Sequence, residues 1–281
     1  MNAVMIVIAA LLVAFAEPLH IREDEMKLGL VTYEMAAHWD VDTIIANCRE
    51  AGFEGVELRT THAHGVETSL STAERREVRQ KFEGSGVRAY GLGTAFEFHS
   101  PDPAEVRRNI EGTKASLQLA AELGMEGVKV RPNGIPADVP EEQTIEQIGT
   151  SMREVAQAGA DLGVYVWLEV HGVESCRVDR MRKMIDIADH ANALLTFNCN
   201  DGETDDSGSC RGAYEMLKHK IGCVHIHGLW LADSYPYQEL LQYLKDDGYS
   251  GWISYEGPGS SDAVLVMKCY RRLWDLLLAG D

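Results

Sequence analysis

The sequence predicts a single-domain (β/α)8 TIM barrel of the α/β class, on three observations. From Lys27 onward, eight short apolar runs alternate with eight longer stretches of helical periodicity. Several of those stretches close on a glycine just ahead of the next apolar run, at Gly52, Gly86, Gly124 and Gly163, as helices do when the chain turns through a left-handed residue. No GxGxxG follows the first apolar run, and eight units are many for the open, doubly wound sheet that is the nearest alternative. The 281 residues suit one barrel, a fold that runs to roughly 250 residues without splitting.

In chain order, the first strand is expected at LGLVTY (28–33) and the first helix over 41–51. GVEL (55–58) follows Gly52 as the second strand, with a helix over 72–84. VRAYGL (87–92) leads to a helix over 103–123, and GVKV (127–130), after Gly124, to one over 141–162. VYVWLE (164–169) follows Gly163 and precedes a helix over 177–189. ALLTFN (193–198), CVHIH (223–227) and WISYE (252–256) precede helices over 211–220, 237–247 and 262–278. Parity supports the last four strands, because successive strand residues face opposite sides. With Glu169, Asn198, His227 and Glu256 pointing inward, the outward set is Val166, Leu168, Leu195, Phe197, Val224, Ile226, Ile253 and Tyr255, all of it apolar. The inward set then also holds Trp167, Thr196, His225 and Ser254.

Lys and Arg number 26 against 44 Asp and Glu, a formal net charge of −18. Such a surface repels nucleic-acid backbones and anionic membranes, so neither is an expected partner; a homo-oligomer is compatible with it. The six cysteines include no CxxC pair and read as free, partly buried thiols. Residues 1–25 stand apart as a leader before a barrel domain over 26–281. Met1–Ala16 is uncharged, contains the apolar run Ala3–Phe15 and ends in Ala14-Phe15-Ala16, the small-x-small pattern of a secretory signal peptide. Against this, no Lys or Arg precedes the run, and Met26 stands directly before the first strand. The two readings are an exported, periplasmic protein whose mature chain starts at Glu17 and a cytoplasmic one that starts at Met26.

In this fold the chemistry lies at the C-terminal ends of the strands, and here those ends are polar. Strand two ends in Glu57-Leu58-Arg59 and runs on to His62 and His64, and strand four carries Lys129 and Arg131. Strands five to eight end in Glu169, Asn198, His227 and Glu256, an arc of four neighbouring staves. Two carboxylates, an imidazole and an amide oxygen form a hard donor set suited to one divalent ion, Mn²⁺, Mg²⁺ or Co²⁺, more than to a structural zinc. Lys129 and Arg131 are candidates to hold a substrate phosphate or carboxylate, or else to compensate an inward Glu57. Glu57 and His62 are further candidates for substrate contact, and so is His171, two residues past Glu169 on the same parity. Trp167 reads as core, and Trp230 as a wall for a sugar ring.

The motifs GFEGVELR (52–59), WLEVHG (167–172), LLTFNCND (194–201), CVHIHGLW (223–230) and ISYEG (253–257) resemble those of the xylose-isomerase-like barrels, in particular the sugar phosphate isomerase/epimerase group. The resemblance covers about residues 27–278. It implies that Glu169 and Glu256 are paired metal-binding glutamates that also move protons, and that His227 is the metal-binding histidine. Asn198 falls where that group usually has Asp, and Asp201 where a substrate-contacting His commonly follows; Asn200 is a nearby alternative ligand. The implied activity is metal-dependent isomerisation or epimerisation of a sugar or sugar phosphate, in which the ion stabilises the enediolate left when a proton leaves a carbon beside a carbonyl. A lyase or hydrolase acting on 3-keto-glycosides is the second reading, and a sugar-binding pseudoenzyme, suggested by Asn198, the third. The abasic-site endonucleases of the same superfamily fit poorly, because the chain is acidic and lacks the His/Asp/Glu set of a trinuclear zinc centre.

Overall fold

The computed structural model describes residues 25–230 and 235–279; the signal-peptide reading rests on residues 1–16 and lies outside them. Eight strands pair in sequence order, each parallel to the next, and the last closes on the first. They are β1 (Lys27–Val31), β2 (Gly55–Arg59), β3 (Arg88–Glu97), β4 (Gly127–Arg131), β5 (Tyr165–Glu169), β6 (Ala193–Phe197), β7 (Ile221–Ile226) and β8 (Trp252–Tyr255). Between them run α1 (Val41–Ala51), α2 (Thr72–Glu83), α3 (Pro103–Leu123), α4 (Glu141–Leu162), α5 (Val178–Ala188), α6 (Arg211–Leu217), α7 (Tyr237–Asp246) and α8 (Ala263–Ala279). The β1–β8 pairing excludes an open sheet.

Short-range chemistry sets the helix ends. Asp40 accepts from the Thr43 N–H at 2.8 Å and starts α1, Ser71 and Glu74 form a capping box on α2, and Asp102 with Pro103 opens α3; each satisfies amide groups that the first turn leaves without partners. Gly52, Gly124 and Gly163 end α1, α3 and α4 in left-handed backbone as expected. Gly84, not Gly86, caps α2, and Gly86 takes positive φ in the turn beyond. β3 extends to Glu97, five residues past the expected end.

The outward residues of β5 to β8 are buried against the helices, as parity requires. Inside, a second cluster of Tyr90, Trp167, Cys223 and Trp252 fills the barrel. The Tyr90 ring stacks on Trp252 with centroids 4.5 Å apart, and Trp167 leans against Tyr90 at 6.1 Å. Glycines make room for this floor: a Cβ at Gly127 or Gly222 would come within 2.3 or 2.5 Å of the Trp167 ring, the small-opposite-large alternation that a narrow barrel needs. Trp167 is therefore core. The inward residues further toward the C-terminal strand ends, Glu57, Glu169 and His225, are polar and buried. Among the described residues no disulfide forms and no helix is long and apolar enough to cross a membrane.

Candidate metal centre and active site

β5, β7 and β8 bring Glu169, His225 and Glu256 together in the layer above the floor. One ligand atom from each lies within 4.8 Å of the other two. His225 Nδ1 stands 3.5 Å from Glu169 Oε1 and 3.5 Å from Glu256 Oε2. On its other side, His225 Nε2 lies 3.0 Å from Oε2 of the wholly buried Glu57. Donation from Nε2 to Glu57 leaves the Nδ1 lone pair facing the gap between the two glutamates, the way a carboxylate orients a metal-binding imidazole from behind. Lys129 Nζ donates to Glu169 Oε2 at 2.7 Å, and Arg59 Nη1 reaches to 3.6 Å from Glu256 Oε1.

The donor set fits a divalent ion. Among the described residues His225 Nδ1 is buried without a hydrogen-bond partner, a costly condition for a polar atom that an ion between the two glutamates would relieve. Electrostatics keep the carboxylates ionised. Burial works against Glu169, but the Lys129 ammonium and His225 outweigh it and hold the group well below the usual carboxylate range. Burial of Glu256 is likewise overcome by His225, and its carboxyl falls to about 2. Burial disfavours the His225 cation, yet Glu57 and Glu256 hold that imidazole well above its ordinary value, so without an ion a proton occupies Nδ1, and the lone pair is offered only when an ion displaces that proton.

Strand seven departs from expectation. His227 Nδ1 lies 2.9 Å from the Glu256 carbonyl oxygen and Nε2 3.0 Å from that of Asn198, so backbone acceptors face both nitrogens and neither lone pair is offered to an ion. The reason is shear. Hydrogen-bond register carries Glu169 to Thr196, Thr196 to Cys223 and Cys223 to Trp252, while a barrel with a shear of about eight over eight strands advances roughly one residue per strand. Two strands on from Glu169, the residue at its level is therefore His225, and three strands on the level reaches Tyr255 and Glu256.

The other candidates divide between site and scaffold. Asn198, the residue after β6, is buried, and its amide oxygen has no hydrogen-bond partner among the described residues. Asn200 turns away, its Nδ2 donating to the Val170 carbonyl at 2.7 Å. Asp201 opens the short 3-10 turn Asp201–Glu203, and its side chain lies outside the described residues. Glu57 and Lys129, expected to touch substrate, are wholly buried behind His225 and Glu169 instead. Arg131 is bound to Glu97 at 2.6 Å, which leaves it poorly placed to take a phosphate. Glu97 also accepts from Asn133 Nδ2 at 2.6 Å, and Asn133 Oδ1 lies 2.8 Å from His171 Nδ1. Donation from Nδ1 fixes the tautomer and leaves His171 Nε2 as an acceptor. His62 is half-buried against the Thr32 hydroxyl at 3.2 Å, whereas His64 is structural, bonded to the Arg59 carbonyl and the Val66 N–H. Trp230 packs edge-on to Tyr255 and Tyr270. Sequence reasoning missed His225, which shares parity with His227, and missed Glu97 and Asn133, whose roles depend on partners from other strands.

Two glutamates and a histidine thus converge above an aromatic cluster inside a closed (β/α)8 barrel. The chain belongs to the xylose isomerase-like TIM barrel family, which residues 45–272 match. It is 25% identical over 269 residues to a ketose 3-epimerase of Arthrobacter globiformis, covering 89% of this chain and 91% of that one. Among solved structures, it is similar to 3-keto-D-glucoside 4-epimerase from E. coli, with a TM-score of 0.74 at 17% identity over 91% of this chain and 100% of the other. The IOLI protein with a binding zinc atom gives a TM-score of 0.74 at 16% identity, over 90% and 98% of the two chains.

Proposed function

We propose that this chain is a sugar isomerase or epimerase that works with one divalent ion held by Glu169, His225 and Glu256. The observation that carries the proposal is His225 Nδ1, oriented from behind by Glu57 and aimed between two carboxylates that come from opposite flanks. Asn198 is the further candidate donor, on the ground that its amide oxygen is buried and unpartnered among the described residues. Mn²⁺, Mg²⁺ and Co²⁺ suit these donors. When bound, the ion supplies Lewis-acid stabilisation of the charge that builds as a C–H next to a carbonyl loses its proton.

The remaining steps belong to the chain. Glu169 and Glu256 stand on strands separated by β6 and β7, so they address a sugar in the mouth from different sides, one taking the proton and the other returning it. Both are held toward the carboxylate form, so either can take the proton from carbon, and its partner first gains a proton from solvent before it returns one to the opposite face. His171 Nε2 is available to accept from a substrate hydroxyl. The similarity to a ketose 3-epimerase supports a carbohydrate substrate. The experiment is proton exchange into D₂O with a panel of ketoses and ketose phosphates, in the presence of Mn²⁺, Mg²⁺ or Co²⁺. Exchange at the carbon beside the carbonyl, abolished by chelator and restored by ion, is the expected result; no exchange on any member while the ion stays bound favours a sugar-binding pseudoenzyme.

A further inference from the structure

Lys129 takes no part in the proton transfer described above, yet it occupies the most confined position next to it. It pairs in register with Trp167 at the level of the barrel floor, is wholly buried, and rises to donate to Glu169 Oε2 at 2.7 Å. The other oxygen of Glu169, Oε1, is the one turned toward His225 Nδ1. The lysine therefore occupies one oxygen of this carboxylate and leaves the other for the centre. A fixed positive charge bonded to a ligand also repels a cation a few ångströms away, and buried surroundings screen that repulsion far less than water does.

Resting on the metal-centre reading, we infer that Lys129 is a positioning residue that limits Glu169 to one oxygen and weakens the hold of the site on its ion. Such a site would bind loosely and leave the ion more electrophilic toward a substrate carbonyl. Two effects make removal of the ammonium favour the ion. In Lys129→Met the metal-stripped chain keeps a buried carboxylate without its counter-charge, which destabilises it, and the ion-bound chain loses the repulsion. A lysine that merely fixed the Glu169 rotamer would give the reverse, because a loosened ligand binds less well.

The test is titration of metal-stripped wild type and Lys129→Met with Mn²⁺ alone, together with thermal melts of each with and without Mn²⁺. The expected result is a Kd at least about tenfold lower in the variant, a lower melting temperature when stripped, and recovery on adding Mn²⁺. An equal or higher Kd in the variant, with wild type binding, overturns the role of Lys129 and leaves the metal centre standing. Absence of Mn²⁺ binding by wild type and variant alike overturns both. If Lys129→Met does not fold, the same comparison between Glu169→Gln and Glu169→Gln/Lys129→Met removes the unpaired charge; tighter binding by the double variant supports the inference, and equal or weaker binding overturns it.

Discussion

Glu203 gives the sharpest test of the electrostatics around the mouth. It ends the short turn after β6 and is 2% exposed. Its Oε2 accepts from the Tyr235 hydroxyl at 3.2 Å and its Oε1 from the Asn198 N–H at 3.4 Å. Burial is the dominant influence and pushes the carboxyl up to about 8, against those hydrogen bonds. With an ordinary value of 4.5 in the unfolded chain, the folded state holds more protons than the unfolded state between those two values. Stability from this group is therefore complete below about pH 4.5, declines as pH rises, and is spent above about pH 8; between pH 5 and 8 the loss should be about 3 to 4 kcal/mol. Urea unfolding of wild type and Glu203→Gln at pH 5, 6, 7 and 8 measures it. Other titrating groups, His225 among them, are common to both chains, so the difference between the two profiles isolates Glu203. The variant should gain on the wild type steadily as pH rises. Parallel profiles would refute the reasoning, because they would mean that Glu203 titrates alike in both states.

Three further outcomes are expected. Asn198→Asp, which places a carboxylate where a buried amide oxygen now lacks a partner, should tighten Mn²⁺ binding by on the order of 1 to 3 kcal/mol, the Coulomb gain being partly offset by desolvation; unchanged calorimetric affinity would remove Asn198 from the ligand set. Glu169→Gln and Glu256→Gln should each slow proton exchange on a verified substrate by at least about a hundredfold, and near-normal rates in both would dismiss the proton-transfer assignment. N-terminal sequencing of native protein should find Glu17 if residues 1–16 are a signal and Met26 if translation starts there; an intact Met1 would contradict both.

Much of the barrel is legible in the sequence because its determinants are local. α1, α3 and α4 begin and end where expected, since apolar periodicity and a terminal glycine are written within each segment. The two glutamates of the centre are legible for the same reason: each closes a strand, and the apolar outward neighbours fix which way it points. His225 was not, because His225 and His227 share parity and strand identity, and what separates them is the stagger between strands. Lys129 and Arg131 show the same limit. Both read on β4 as holders of a substrate anion or as partners of the inward Glu57, and both are bound instead to carboxylates, Glu169 on β5 and Glu97 on β3, that the pairing of β4 with its two neighbours brings near. The extension of β3 to Glu97 was missed because the hydrogen bonds that hold it come from its neighbours.

The central claim is that Glu169, His225 and Glu256 hold one ion and that His227 does not. Isothermal titration of the metal-stripped protein with Mn²⁺, beside His225→Ala and His227→Ala, tests it most directly. The account predicts about one ion per chain in wild type, loss of most binding in His225→Ala, and retained stoichiometry in His227→Ala. Unchanged affinity in His225→Ala, or loss confined to His227→Ala, would contradict it.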